Sequence, residues 1–224
     1  MELVADALAC RRAGRLVFEG VSFRLEAGRA AVLRGPNGAG KSSLLRLLAG
    51  LIPPAAGEAR LCGIPLADAE AWREKVALGG HLDAVKPALT VRENLIAWAA
   101  FHARPAAAVD AALERFGLTA LAGDPAQWCS AGQKRRLGLA RLLVTDRPLW
   151  LLDEPTVSLD AASAEVLAAV VRAHVAAGGL ALVATHVPLN LGEVEEILLP
   201  GRNAAPARPP TAATADPFLS DDWR

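Results

Sequence analysis

Gly35-Pro36-Asn37-Gly38-Ala39-Gly40-Lys41-Ser42 stands between the apolar run Ala30–Leu33 and a helical pattern over Lys41–Ala49 that closes at Gly50. The segment fits G-x-x-x-x-G-K-[ST], in which glycines let the backbone curl so that successive N–H groups face phosphate oxygens. The start of the helix adds partial positive charge at the same place. Lys41 is placed to reach the β- and γ-phosphates of a nucleotide and Ser42 to bind Mg²⁺ through its hydroxyl, with Ser43 its neighbour at the start of the helix. Strand, glycine loop and helix in that order are the grammar of an α/β domain built on a largely parallel sheet.

Working outward, further strands are predicted at Val21–Leu25, Ala59–Leu61, Leu149–Leu152 and Leu180–Ala184, with a helix over Ser163–Val175 closed by Gly178-Gly179. From about residue 85 to 143 the strand signals vanish, and apolar residues recur at helical spacing through Val91–Phe101, Ala106–Phe116 and Gln133–Leu143. A helical insertion is therefore expected inside one nucleotide-binding unit spanning residues 1–200. Residues 201–224 are Pro- and Ala-rich and predict a flexible tail, with Phe218 and Trp223 near its end.

The run Leu149-Trp150-Leu151-Leu152 ends in Asp153-Glu154-Pro155. Two carboxylates at the end of a buried strand are the usual second anchor of a phosphate-loop enzyme. Asp153 is assigned to hold the metal through water, and Glu154, facing the γ-phosphate, to polarise the attacking water as general base.

Composition removes other classes. The chain has 24 basic and 24 acidic residues, so it offers no net field for nucleic acid or an anionic membrane surface. Cys10, Cys62 and Cys129 lie far apart with no CxxC pair, against a disulfide framework or zinc site. No stretch reaches the roughly 18 uninterrupted apolar residues of a membrane span. Met1–Cys10 faintly resembles a lipoprotein leader, but it lacks a basic start and contains Glu2 and Asp6.

Cys129-Ser130-Ala131-Gly132-Gln133, then Lys134-Arg135-Arg136-Leu137, precedes the acidic strand, and Ser158-Leu159-Asp160 and an isolated His186 follow it. Phosphate loop, this segment, L-L-D-E-P, S-L-D and histidine, in that order, resemble ATP-binding-cassette ATPases over about residues 1 to 200. The resemblance implies a phosphate-loop NTPase fold of that type: a mostly parallel sheet, an antiparallel β subdomain and a helical subdomain. It also implies that Ser130, Gly132 and Gln133 of one copy close over ATP held by a second copy of the chain, with Cys129 beside the nucleotide at the seam. His186 matches the switch histidine that contacts the γ-phosphate near the general base.

Two departures stand out. The family's metal-ligating glutamine between subdomains is replaced by Leu82 in Gly79-Gly80-His81-Leu82-Asp83, so either His81 or Asp83 substitutes for it or coupling is mechanical. The aromatic that stacks on adenine is missing, and Arg12 falls near its place, where a guanidinium could stack or remain solvated.

Within the family, the stretch from Gly80 to Leu95, together with the segments around Cys129 and Asp153, is similar to the ATPase subunit of bacterial cytochrome c maturation exporters. That similarity implies integral-membrane permease partners, a peripheral position on the cytoplasmic face of the inner membrane, and haem delivery. A transporter ATPase for another substrate stays open as the alternative. Cassette ATPases of DNA repair are disfavoured by the balanced charge and lack of heptads, and phosphate-loop kinases by the C-S-A-G-Q segment, which has no role there.

Overall fold

The computed structural model describes residues 1–199. The expected tail over 201–224, with Phe218 and Trp223, lies outside the described residues. The chain opens with two long antiparallel strands, Glu2–Arg12 (β1) and Arg15–Glu26 (β2), followed by Ala30–Arg34 (β3) and the helix Lys41–Leu48 (α1). Ala56–Leu61 (β4), Ile64–Pro65 (β5), the short helix Ala69–Arg73 (α2) and Val76–Gly79 (β6) come next. Three helices follow, Val91–Phe101 (α3), Ala106–Arg115 (α4) and Ala131–Thr145 (α5). Leu149–Asp153 (β7), Ala161–Ala176 (α6), Leu180–Ala184 (β8) and Val194–Leu198 (β9) complete the described fold.

Five parallel strands lie in the order β6-β7-β8-β3-β9, and a separate antiparallel sheet in the order β2-β1-β4-β5. The central strands β3, β7 and β8 are short and almost wholly apolar because both faces are covered, whereas the edge strand β9 carries Glu195 and Glu196. Alternation then sorts their side chains between two cores. Trp150, Leu152, Ala181 and Val183 point to the core shared with α3, α4, α5 and α6. Leu149, Leu151, Leu180 and Leu182 point to the core shared with α1 and the antiparallel sheet.

The helical insertion is present where expected. Its first helix starts at Thr90, whose hydroxyl accepts from the Glu93 N–H while the Glu93 carboxylate accepts from the Thr90 N–H. This reciprocal cap satisfies two donors that helix geometry leaves open. Buried Asn94 ties the preceding loop to that helix, accepting from Lys86 N–H at 2.7 Å and donating to the Thr90 carbonyl at 2.9 Å.

Candidate active site

β7, β8 and β3 lie side by side and run the same way, so their carboxyl ends release three loops at one edge of the sheet. Ligand sites of open parallel sheets form at that edge. β3 delivers residues 35–42, β7 delivers Asp153-Glu154, and β8 delivers Thr185-His186.

The 35–42 loop depends on its glycines for two separate reasons. Gly35 has φ 146° and lies so close to the chain's later backbone that a Cβ there would fall 2.6 Å from the Leu199 carbonyl oxygen. Gly40 has φ 103°, and its Cβ would fall 2.7 Å from Val17 Cγ1 and 2.9 Å from Phe18 Cδ1. α1 begins at this glycine with no side-chain cap and no acid in its first turn, leaving its N–H donors open to an anion. Lys41 is 8% exposed, and its Nζ donates to the carbonyls of Gly35 at 2.8 Å and Pro36 at 3.3 Å. The ammonium is thus held across the mouth of its own loop.

Ser42 Oγ donates to Asp153 Oδ1 at 2.8 Å, and Asp153 is buried. A hydroxyl and a carboxylate meeting beside a phosphate loop are hard oxygen donors, the donor chemistry that suits Mg²⁺. Glu154, the next residue, is left-handed at φ 47°, a conformation a non-glycine residue keeps only when its surroundings enforce it. Its N–H donates to the Ala184 carbonyl at 2.8 Å. Its carboxylate meets His186 twice, accepting from the backbone N–H at 3.3 Å and lying 3.4 Å from Nε2.

These groups open onto one cleft of about 720 Å³. Arg12, Asn37, Gly38 and Ser43 line it with Lys41, Ser42, Asp153, Glu154 and His186. Val17 and Val157, which no sequence signal marks, complete its walls. Arg12 is exposed at the end of β1, where its side chain stands at the cleft. Leu82 is 81% exposed.

Ser130, Gly132 and Gln133 do not line this cleft. Ser130 caps α5: its Oγ accepts from Gln133 N–H at 3.2 Å, and Gln133 Oε1 accepts from Ser130 N–H at 2.7 Å. Gln133, expected to reach ATP, therefore has its amide oxygen committed within its own helix. Gly132 is needed for a different closeness, since a Cβ there would fall 2.9 Å from the Ser158 carbonyl oxygen. Asp160 caps α6, and the hydrogen bonds from Ser163 hold its carboxyl below the usual carboxylate value.

Cys129, expected beside nucleotide at a seam, is 7% exposed, packs into the helical core, and has its thiol pKa pushed up by that burial. Asp83, weighed as a substitute metal ligand, is instead held by Arg135, with Nη1 2.9 Å from Oδ1.

This fold and cleft are those of the ATP-binding cassette, and the chain belongs to the ABC transporter family, whose domain model matches residues 18–157. Among its relatives, a protein of Cereibacter sphaeroides named cytochrome c biogenesis ATP-binding export protein CcmA is 53% identical over 97% of this chain and 98% of its own length. The same-named protein of Rhodobacter capsulatus is 55% identical over 94% of this chain and 91% of its own. Among solved structures, an ATP-binding subunit of an ABC transporter matches with TM-score 0.77 and 26% identity, covering 84% of this chain and 80% of its own. A cassette solved as a dimer in a post-hydrolysis state, bound to ADP and Pi, matches at TM-score 0.79 and 22% identity over 89% of this chain and 96% of its own, a likeness of fold. Among the described residues, no helix is long and apolar enough to cross a membrane.

Proposed function

We propose that the chain is the ATP-hydrolysing subunit of the ABC transporter of cytochrome c maturation, with haem the molecule its complex handles. The relatives' shared name, at more than half identity over nearly the whole chain, supports the pathway. The observation that carries the chemistry is the convergence of Lys41, the Ser42–Asp153 pair and the Glu154–His186 pair on one cleft.

In this reading the open N–H groups of the 35–42 loop and the Lys41 ammonium bind the phosphates of ATP. Ser42 and Asp153 would hold Mg²⁺, which when bound would neutralise charge on the phosphates. Glu154 takes a proton from water as the water oxygen attacks the γ-phosphorus. The bond from that phosphorus to the oxygen bridging to the β-phosphate breaks, releasing ADP and phosphate. His186 holds the Glu154 carboxylate in line and faces the γ-phosphate. Arg12 stacks its guanidinium plane on the adenine.

A second copy supplies Ser130 and the Gly132 backbone at the start of α5, where hydroxyl and N–H groups donate to the γ-phosphate. The nucleotide-binding unit spans residues 1–200. The partners are the second copy and integral-membrane permease subunits, not nucleic acid, and the protein sits peripherally on the cytoplasmic face of the inner membrane. The test is complementation in cells lacking the subunit. Wild type should restore haem-bearing c-type cytochromes, and Glu154→Gln should not; restoration by Glu154→Gln would separate the pathway from hydrolysis at this site.

A further inference from the structure

Arg135 lies in the middle of the basic run Lys134-Arg135-Arg136, yet it alone of the three turns away from the helical layer. Lys134 Nζ reaches the Gln127 carbonyl and Arg136 reaches the Phe116 carbonyl, both within the insertion. Arg135 is 4% exposed and points at the nucleotide edge of the sheet. Its Nε donates to the Pro155 carbonyl at 3.1 Å and its Nη2 to the Glu154 carbonyl at 2.8 Å, with the Asp153 carbonyl at 3.5 Å. On the other side, Nη1 donates to the Gly80 carbonyl at 2.8 Å and to Asp83 Oδ1 at 2.9 Å.

Three successive carbonyls of the Asp153-Glu154-Pro155 turn therefore converge on one planar cation. A guanidinium is always charged and presents its donors in a fixed fork, so acceptors that meet it are held in definite planes. The middle one belongs to Glu154, whose left-handed φ of 47° needs such support. Helix α5 also lies tight on the far partner: at Gly138, one turn beyond Arg135, a Cβ would fall 2.8 Å from Asp83 Cβ and 2.9 Å from the Asp83 carbonyl oxygen. Helix, 80–83 segment and catalytic turn are thereby locked through a single side chain.

We propose that Arg135 is a positioning residue for Glu154, and that it links the 80–83 segment to the catalytic turn in a chain whose residue 82 is a leucine. The proposal rests on Glu154 as general base. Arg135 does not line the cleft; it sets the direction in which the Glu154 carboxylate leaves the backbone. Movement of the 80–83 segment or of α5 reaches Glu154 through the same fork.

The experiment is steady-state ATP hydrolysis by the full chain in its transporter complex, with ATP affinity measured in parallel. Arg135→Lys keeps the charge and loses the fork, so kcat should fall about 100-fold, the scale of a small misplacement of a reacting group, while ATP affinity is unchanged. In a Glu154→Gln background the same substitution should leave the residual rate unchanged, because its effect passes through Glu154. Equal proportional losses in both backgrounds, or an unaltered kcat for Arg135→Lys, overturn the proposal. Parent-rate hydrolysis by Glu154→Gln alone overturns the general-base reading and the proposal with it. Should Arg135→Lys fail to fold, Asp83→Asn frees the fork from its anion at nearly constant shape. Its kcat should fall on the order of 10-fold with ATP affinity kept, and an unchanged kcat there counts equally against the proposal.

Discussion

Glu154 and His186 are joined twice across neighbouring strands, by the His186 backbone N–H to Oε2 at 3.3 Å and by Nε2 to Oε1 at 3.4 Å. The two side chains thus form one unit, with the carboxylate fixed by the backbone as well as by the ring. Replacing either Glu154 by Gln or His186 by Ala should lower kcat about 100- to 10,000-fold. The double variant should be no slower than the slower single one, because groups acting together are not additive. Glu154→Gln should also accumulate as an ATP-bound dimer visible by light scattering. Multiplicative losses in the double variant would mean that the two act independently.

Lys41 is the buried cation bridging two carbonyls of its own loop, poised to exchange them for phosphate oxygens. Lys41→Ala should weaken ATP binding about 10- to 100-fold, the scale of losing hydrogen bonds to a charged group. Gly40→Ala should do so by another route, since the new methyl meets Val17 and Phe18 and the backbone is left-handed. A stability loss of about 1–3 kcal/mol should accompany it. Calorimetric titration with ATP and urea unfolding separate the two, and a Gly40→Ala chain of normal stability and affinity would contradict this account of the loop.

Ser130 and Thr90 carry the same reciprocal cap on different helices. Ser130→Ala and Thr90→Ala should each cost about 1 kcal/mol in urea unfolding. Only Ser130→Ala should also depress hydrolysis, because its hydroxyl is proposed to face ATP of the second copy. Equal activity of the two variants would confine Ser130 to capping.

His174 stacks on Trp150 with ring centroids 3.8 Å apart and nearly parallel planes, and burial pushes its pKa below the ordinary 6.5. The folded chain therefore holds that proton more weakly than the unfolded chain does. Stability contributed by the neutral ring is full above the ordinary value and is lost as pH falls below it. His102, lowered by burial and by nearby Arg147, adds a slope of the same sign. Urea midpoints should fall more steeply from about pH 7 to 5 in the parent than in His174→Phe. Identical slopes would show that His174 takes no part.

The phosphate loop, the Asp153-Glu154 turn and His186 are legible in the sequence because each is a local pattern at the end of a buried strand. The missing pieces are those whose partners lie far along the chain. β9 carries Glu195 and Glu196 at its centre, which breaks any apolar pattern; it is an edge strand, and Glu196 pairs with Arg34 of β3 at 3.0 Å. β6 has four residues, too few to show a period. β1 is disguised by a bulge, with left-handed Ala7 between the paired residues Ala5 and Leu8. Arg135 is indistinguishable from its two basic neighbours until the carbonyls of residues 80, 153, 154 and 155 are brought around it. The directions of the Cys129 and Gln133 side chains are hidden for the converse reason: a motif gives their order but not which way a side chain turns once a helix starts at Ser130.

The contact of Gly35 with Leu199 has a consequence for biogenesis. The floor of the nucleotide cradle is made by backbone that follows β9, and β9 itself pairs with β3, the strand that leads into the cradle. During synthesis the glycine loop emerges early, yet its support is absent until residue 199 has left the ribosome. The phosphate grip is therefore finished only on a chain whose sheet is already closed, so the cradle is among the last parts of the fold to be completed and cannot serve as its template.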